Sequence, residues 1–445
     1  MGDWRTRWQR ARRYGFGQAW RSGIAYALHD SVVIRGKPIR GDVARFIGFG
    51  QRPGLFPTAR PGTTPGWDID SVEAPLTFQP PVPRAWSDDG ARARPLTLPA
   101  TPRASTLGVR RLRVRDVTIQ PGQSLIVGEH VALVPELLDR VAVGPGVWEP
   151  GAKTCISPWR KRREIDAIDP AVTSRLADWT ATLWRREDAS WSMPRAISLF
   201  ETVDDHFGHG MLDLLHRLRA VTDLPPSWPI VVSQRMPPNI VAWINRIAPE
   251  RQVLRVKHGQ VVHVDDLVAP LESGRLWLDP GRLSGSGTVP ATIDPTAMQW
   301  LQDLGSAESR HRSKRVWIRR DRSPHARILN ESQLVDQARK HGFHDVFLQD
   351  LTLGQVRELM SEVSHVIAPM ASAVANLTMA SAGVRVLQLT DELTWRDRYG
   401  SLTWLSHIGH EHAVLVGRQE TSGFTVSRAA LEETMKWLLS DEQDC

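Results

Sequence analysis

From Arg195 onward the chain alternates short apolar runs with longer segments whose apolar residues recur every three or four positions. The runs Ala196 to Phe200, Ile230 to Ser233, Val253 to Val256 and Val261 to Val264 predict strands, and Met211 to Val221 and Asn239 to Ile247 predict helices. A glycine- and serine-rich stretch, Gly281 to Gly287, and a polar stretch, Gly305 to Lys314, bracket a helix around Met298 to Leu304. The alternation then restarts. Strands are expected at Val316–Ile318, Val346–Leu348, His365–Ala368, Val384–Leu389 and Ala413–Val416. Helices are expected at Glu331–Lys340, Leu353–Val363, Ser372–Ala380 and Arg428–Leu439. Such alternation implies parallel sheets covered on both faces. Two units meeting near residues 285–315 imply a cleft between them, where ligands tend to bind.

Upstream the pattern is different. Residues 31–110 are rich in Pro, Gly and Arg with little periodicity, which predicts extended, partly irregular chain wrapped on the surface. Leu112 to Ile119 alternates, and with the Pro121-Gly122 turn and Ser124 to Val127 it predicts a hairpin. Residues 172–187 read as helix. The domains expected are a basic, Pro-rich extension (1–110), an N-terminal lobe with a small β element (111–300) and a C-terminal lobe (301–445).

At 445 residues, with 41% hydrophobic and 24% charged residues, the composition is that of a soluble globular protein of two or three domains. No apolar run reaches transmembrane length, and Met1 to Trp8 lacks the apolar core of a secretory signal. The two cysteines, Cys155 and Cys445, form neither a disulfide scaffold nor a zinc pattern, so a cytoplasmic setting is expected. The net charge of +7 comes mostly from arginine, which suits anionic partners. Residues 1–21 hold Arg5, Arg7, Arg10, Arg12, Arg13 and Arg21 against Asp3, with Trp4 and Trp8 at helical spacing. Such a helix suits peripheral contact with an anionic inner-membrane surface, or docks on its own protein.

Two segments carry candidate chemistry. In Asp204 to His216, His209 and Asp213 are four apart and share a helix face, opposite Met211, Leu214, Leu215 and Leu218. The pair can orient an imidazole as a general base, hold a metal together with His206, or be a polar face behind a capping aspartate. In Ile367 to Asn376 an apolar strand reaches Pro369 and small residues then open a helix. That turn suits close approach of a phosphate to helix N–H groups, or is an ordinary tight βα turn.

Together these segments resemble glycosyltransferase family 61, which includes capsule and polysaccharide biosynthesis proteins. The resemblance rests on His206-Phe-Gly-His209-Gly-Met-Leu-Asp213, on Val316-Trp-Ile-Arg319-Arg320, on Arg327-Ile-Leu-Asn330-Glu331, and on Met370-Ala371-Ser372-Ala373-Val374-Ala375-Asn376 followed by Gly383 to Leu389. The chain departs from the family where the turn histidine is Met370, the turn glycine is Ala371, the asparagine before the aromatic is His206, and the bulky residue after His209 is Gly210. The resemblance implies an α/β, GT-B-like fold of two Rossmann-like lobes preceded by the irregular and β extension. It implies inverting, metal-independent transfer of a sugar from a nucleotide sugar to a glycan or lipid-linked acceptor hydroxyl, with no cofactor. A nucleic-acid-binding protein would rest only on the basic charge, which no recognised nucleic-acid motif accompanies, so no nucleic acid partner is expected. His209 and Asp213 are then the catalytic pair. Arg319, Arg320, Asn330, Glu331, Met370, Ala371, Ser372 and Asn376 are the donor-side residues, although Glu331 also fits a purely structural helix cap. The alternative is a catalytically silent scaffold of the same fold, in view of Met370 and Ala371. The triplet Asp68-Ile-Asp70 is DxD-like but lies in the Pro-rich region, and is read as chance.

Overall fold

The computed structural model describes residues 54–59, 66–97, 103–119, 125–127, 131–133, 154–155, 180–183, 191–199, 207–257, 260–271, 273, 289–290, 293–306, 312–320, 328–392, 395 and 404–440. The expectations for residues 1–21, His206, Gly281 to Gly287 and Arg327 lie outside them.

The strands that matter here are β1 (Trp67–Glu73), β2 (Arg84–Asp88), β3 (Ala93–Pro95), β4 (Val109–Ile119), β5 (Trp191–Ser198), β6 (Ile230–Ser233), β7 (Val253–Val256) and β8 (Val262–Pro270). They continue with β9 (Lys314–Ile318), β10 (Phe343–Val346), β11 (Val363–Pro369), β12 (Arg385–Asp391) and β13 (Glu411–Glu420). One sheet runs β8-β5-β6-β7 with all four strands parallel, and β4 joins β8 antiparallel. The other runs β10-β9-β11-β12-β13-β2-β3, parallel except for β3. Among the described residues no ladder joins the two sheets.

Helix α1 follows β5 and changes character along its length, from one α turn (Phe207–His209) through a π turn (Gly210–Leu214) to a 3-10 segment (Leu215–Val221). It is succeeded by α2 (Pro238–Ile247), α3 (Pro295–Gly305), α4 (Glu331–Arg339), α5 (Leu353–Glu362) and the 3-10 helix α6 (Ser372–Met379). The short α7 (Trp404–His407) and α8 (Arg428–Leu439) close the second sheet. Local sequence explains several ends. Asp294 caps α3 by accepting from the amides of Thr296 (2.9 Å) and Ala297 (3.3 Å), and Thr352 with Gln355 forms a capping box on α5. No helix among the described residues is long and apolar enough to cross a membrane.

The sheets share one core. Ile197, Met211, Leu215 and Trp243 from the first unit pack in the same cluster as Leu301 of α3 and Val366, Val374 and Leu377 of the second. The sequence marks α3 as a boundary element. In the structure it packs against α1 of the first unit and α6 of the second. Gln302, 4% exposed, donates to the carbonyls of Ala380 (2.9 Å) and Ile408 (3.0 Å), and a Cβ on Gly305 would lie 2.4 Å from Trp243.

Two expectations are corrected. Residues 180–183 form a strand paired antiparallel with Gly54–Ala59, not helix; Thr180 and Thr182 are β-branched, and the neighbouring chain supplies ladder partners. The Pro-rich region, expected as extended, partly irregular chain wrapped on the surface, instead supplies strands to the sheets: β1 pairs with β4, and β2 lies parallel to β13 in the second sheet. The triplet Asp68-Ile-Asp70 belongs to β1, where Asp68 and Asp70 oppose Arg113 and Arg111, and Asp70 accepts from Arg111 at 3.0 Å. These carboxylates serve cross-strand charge pairing.

Candidate functional site

The order β10-β9-β11-β12-β13 places β9, the first of these strands in the chain, between the second and the third. The connections therefore leave the carboxyl ends of β9 and β11 in opposite directions. That is the switch point where open parallel sheets form a ligand crevice. Arg320 leaves the end of β9 and the 369–376 turn leaves the end of β11. They meet: Arg320 Nη1 donates to the Met370 carbonyl at 3.2 Å.

The turn is held from below. Met370 N–H donates to the Leu389 carbonyl at 2.7 Å, and Thr390 Oγ1 donates to Met370 Sδ at 3.5 Å. Ala371 is extended, with φ −158° and ψ 164°, and Val374 N–H closes the first turn of α6 on its carbonyl at 3.1 Å. Asn376 is buried and its Nδ2 donates to the Ala373 carbonyl at 2.8 Å, which fixes that turn from within the helix. Ala371, Ser372 and Ala373 are half-buried and carry little bulk.

The donor-side residues named from sequence divide into three groups. Arg320, Met370, Ala371, Ser372 and Asn376 are brought to this one strand-end. Arg319 points elsewhere: its guanidinium donates to Asp345 at 3.1 Å and to Ser332 at 3.3 Å, and lies 5.1 Å from the centre of the Phe347 ring. Burial opposes ionisation of Asp345, but bonds from Arg339 and Arg319 outweigh it and hold the carboxyl below its ordinary range. Asn330 bonds across to the segment before α8, donating to the Val426 carbonyl at 2.8 Å and accepting from Val426 N–H at 3.3 Å. Glu331, 3% exposed, accepts at one oxygen from Trp317 Nε1 and from Arg320 N–H, both at 3.2 Å.

On the other sheet, α1 buries its polar face. His209 and Asp213 are 7% and 5% exposed, and His209 Nδ1 bonds the Asp213 carboxylate. The π turn is closed by Leu215 N–H donating to the Gly210 carbonyl. Such wide turns are frequent at functional sites. A Cβ on Gly210 would stand 2.7 Å from Ile240 of α2, so the departure from a bulky residue there has a packing cause. Arg217 Nε donates to the Asp213 carbonyl at 2.7 Å. Burial pushes His216 down to about 4, against the attraction of Asp294. Arg219 donates to Glu73, to Asp294 at 3.4 Å and to Thr296 at 3.2 Å. A cleft of about 370 Å³ opens there, between Glu73, Arg219, Trp300 and Asp303, and takes no residue from the dyad or the turn.

The first turns of α1 contact α6, so the His209–Asp213 pair and the switch-point turn lie on helices that touch. The sequence had not singled out Trp317, Thr390 or Arg217. Thr390 could have been noticed as a polar residue continuing an apolar strand; the roles of Trp317 and Arg217 depend on neighbours far along the chain. Among the described residues no three His, Cys, Asp or Glu side chains gather as a metal site.

Residues 207–387 match the family model described as Glycosyltransferase 61, a span that begins at α1 and ends in β12 and so takes in both halves of this site. No curated protein matches the chain. The order of motifs, the family match and the meeting of Arg320 with the turn agree, and residues 207–387 form a glycosyltransferase family 61 domain that makes the chain a glycosyltransferase.

Proposed function

We propose that the chain transfers a sugar from a nucleotide-sugar donor to an acceptor hydroxyl, with inversion and without a metal, in the synthesis of a bacterial-type surface polysaccharide or glycan. The polymer context and the stereochemistry come from the resemblance. The observation that carries the donor assignment is the bond from Arg320 to the Met370 carbonyl at the switch point. A guanidinium at this position balances charge on a leaving nucleoside diphosphate, and the first amides of α6 add the positive end of a helix. The GT-B-like reading follows: donor on the second sheet, acceptor on the side of the first.

His209 is the general base in this reading. Asp213 accepts from Nδ1–H and so favours the tautomer whose Nε2 takes the proton of the acceptor hydroxyl. The hydroxyl oxygen then bonds the anomeric carbon from the face opposite the diphosphate, and the bond to the diphosphate breaks. A base contributes about 10²–10⁴ in rate. His209→Ala is therefore expected to lower turnover by that order and leave nucleotide affinity near wild type. Donor turnover by purified enzyme, with UDP-, GDP- and ADP-sugars offered in turn, is the measurement. Full turnover in the His209→Ala protein removes the base assignment. Nucleotide binding without turnover of any donor by the wild-type protein favours the silent scaffold, for which Met370 in place of histidine is the motive.

A further inference from the structure

We propose that Glu331 is a positioning residue that selects which of two adjacent arginines faces the donor. The inference rests on the reading of Arg320 as the diphosphate contact. Arg319 and Arg320 are consecutive on chain leaving a strand, so their side chains leave on opposite sides, and a slip of one residue would exchange them. Two carboxylates fix the choice, the half-buried Asp345 and the buried Glu331. The Arg319 N–H makes the last bond of the ladder, to the Val346 carbonyl at 2.9 Å, and its guanidinium is drawn outward to Asp345. The ladder has no further rung for the Arg320 N–H. Glu331 accepts it at 3.2 Å, in place of a strand partner.

The same Glu331 oxygen accepts from Trp317 Nε1, and Trp317 lies in the middle of the second core. The carboxylate thus ties the backbone of Arg320 to a fully buried ring two residues before Arg319. With its backbone held, the Arg320 side chain reaches across the switch point to Met370. Glu331 itself is buried at the start of α4, and the function assigned to it is to hold another group in place, as a supporting shell does for a binding constellation.

The test is nucleotide affinity by calorimetry, with UDP, GDP and ADP as probes, on the full chain and five variants. Arg320→Ala and Glu331→Ala are each expected to weaken the nucleotide that binds wild type by about tenfold or more. The double variant should be little worse than either alone, because both remove one contact. Glu331→Gln keeps an acceptor oxygen at the same reach and is expected within about threefold of wild type. Asp88→Ala is the stability control. It strips the bond to Ser427 Oγ (2.7 Å) elsewhere in this sheet, and should lower the melting temperature without changing affinity. Should Glu331→Ala fail to fold, Glu331→Asp, which shortens the reach and keeps the charge, is read in its place. Wild-type affinity in Glu331→Ala beside a weakened Arg320→Ala overturns the inference and leaves the donor reading standing. Additive losses, or a Glu331→Gln as weak as Glu331→Ala, also overturn it, since they make Glu331 an independent charged contact. Unchanged affinity in Arg320→Ala, or binding of none of the three probes by wild type, removes the donor reading and this inference together.

Discussion

Helices α1 and α6 each follow a strand of a parallel sheet and pack against each other, yet they are made of opposite materials. Helix α1 buries His209, Asp213, His216, Arg217 and Arg219, and its ionic groups stand among partners of opposite sign. Helix α6 buries no charged residue of its own and opens with small residues whose backbone faces the crevice. His410 Nε2 meets the carbonyl of Leu377 in this helix at 3.0 Å, and in β13 the buried His412 has no hydrogen-bond partner for either ring nitrogen among the described residues. The contrast separates two ways of placing polarity beside a reaction. One builds a paired side-chain network that sets the state of an imidazole. The other clears space for a ligand that brings its own charge.

The largest effect should come from acid, because several imidazoles respond together. Burial lowers His216 and His410 to about 4 and His412 to about 3. The unfolded chain binds these protons near pH 6.5, while the folded chain resists them until about pH 4 or below. Stability is therefore full above pH 6.5 and falls as pH drops through that window. Protonated His216 meets attraction from Asp294 and Asp213 as well as repulsion from Arg217 and Arg219, whereas the charge acting on His412 is that of His410 alone. Hydrogen exchange at pH 4.5 should accordingly open α6 and β13 before α1, and His412→Leu should recover part of the lost stability. Simultaneous opening of both regions would erase the contrast.

Next in size is Asp213→Ala. It leaves the buried Nδ1–H of His209 without its acceptor, and an unsatisfied buried donor costs about 1–3 kcal/mol, more where the lost partner is charged. Denaturant unfolding at neutral pH measures this, and a loss below about 1 kcal/mol would mean that the dyad is solvated like a surface pair. The smallest effect is packing. Gly210→Ala drives a methyl group onto Ile240, which should cost about 1–3 kcal/mol, and Ile240→Val should return part of it.

Much of the second sheet was legible in the sequence because its strands include short apolar runs such as Ala413–Val416, the pattern of a sheet covered on both faces. The His209–Asp213 contact was legible from i, i+4 spacing, but its burial was not. A polar stripe looks the same whether it faces solvent or a second helix, and the π turn leaves no mark in residue type. Arg319 and Arg320 were named together because the sequence does not say what each guanidinium meets; their partners, Asp345 for the one and the Met370 carbonyl for the other, lie 26 and 50 residues further on. Strand β2 was missed because Arg84–Asp88 is short, carries charge and follows prolines. Its register is written in β13 instead.

That strand has a consequence for synthesis. Asp88 and Ser427 lie 339 residues apart and are bonded through the Asp88 carboxylate. The early segment leaves the ribosome long before β13 exists to receive it. At about 5–20 residues per second, β2 waits for tens of seconds while intervening chain is made. Until it docks, β13 is the open edge of a parallel sheet, the kind of edge that recruits other chains. Emergence of β13 from the ribosome, rather than of the strands made before it, is then the moment at which the ladder to β2 can close, and growth temperature and translation speed become determinants of this enzyme's yield.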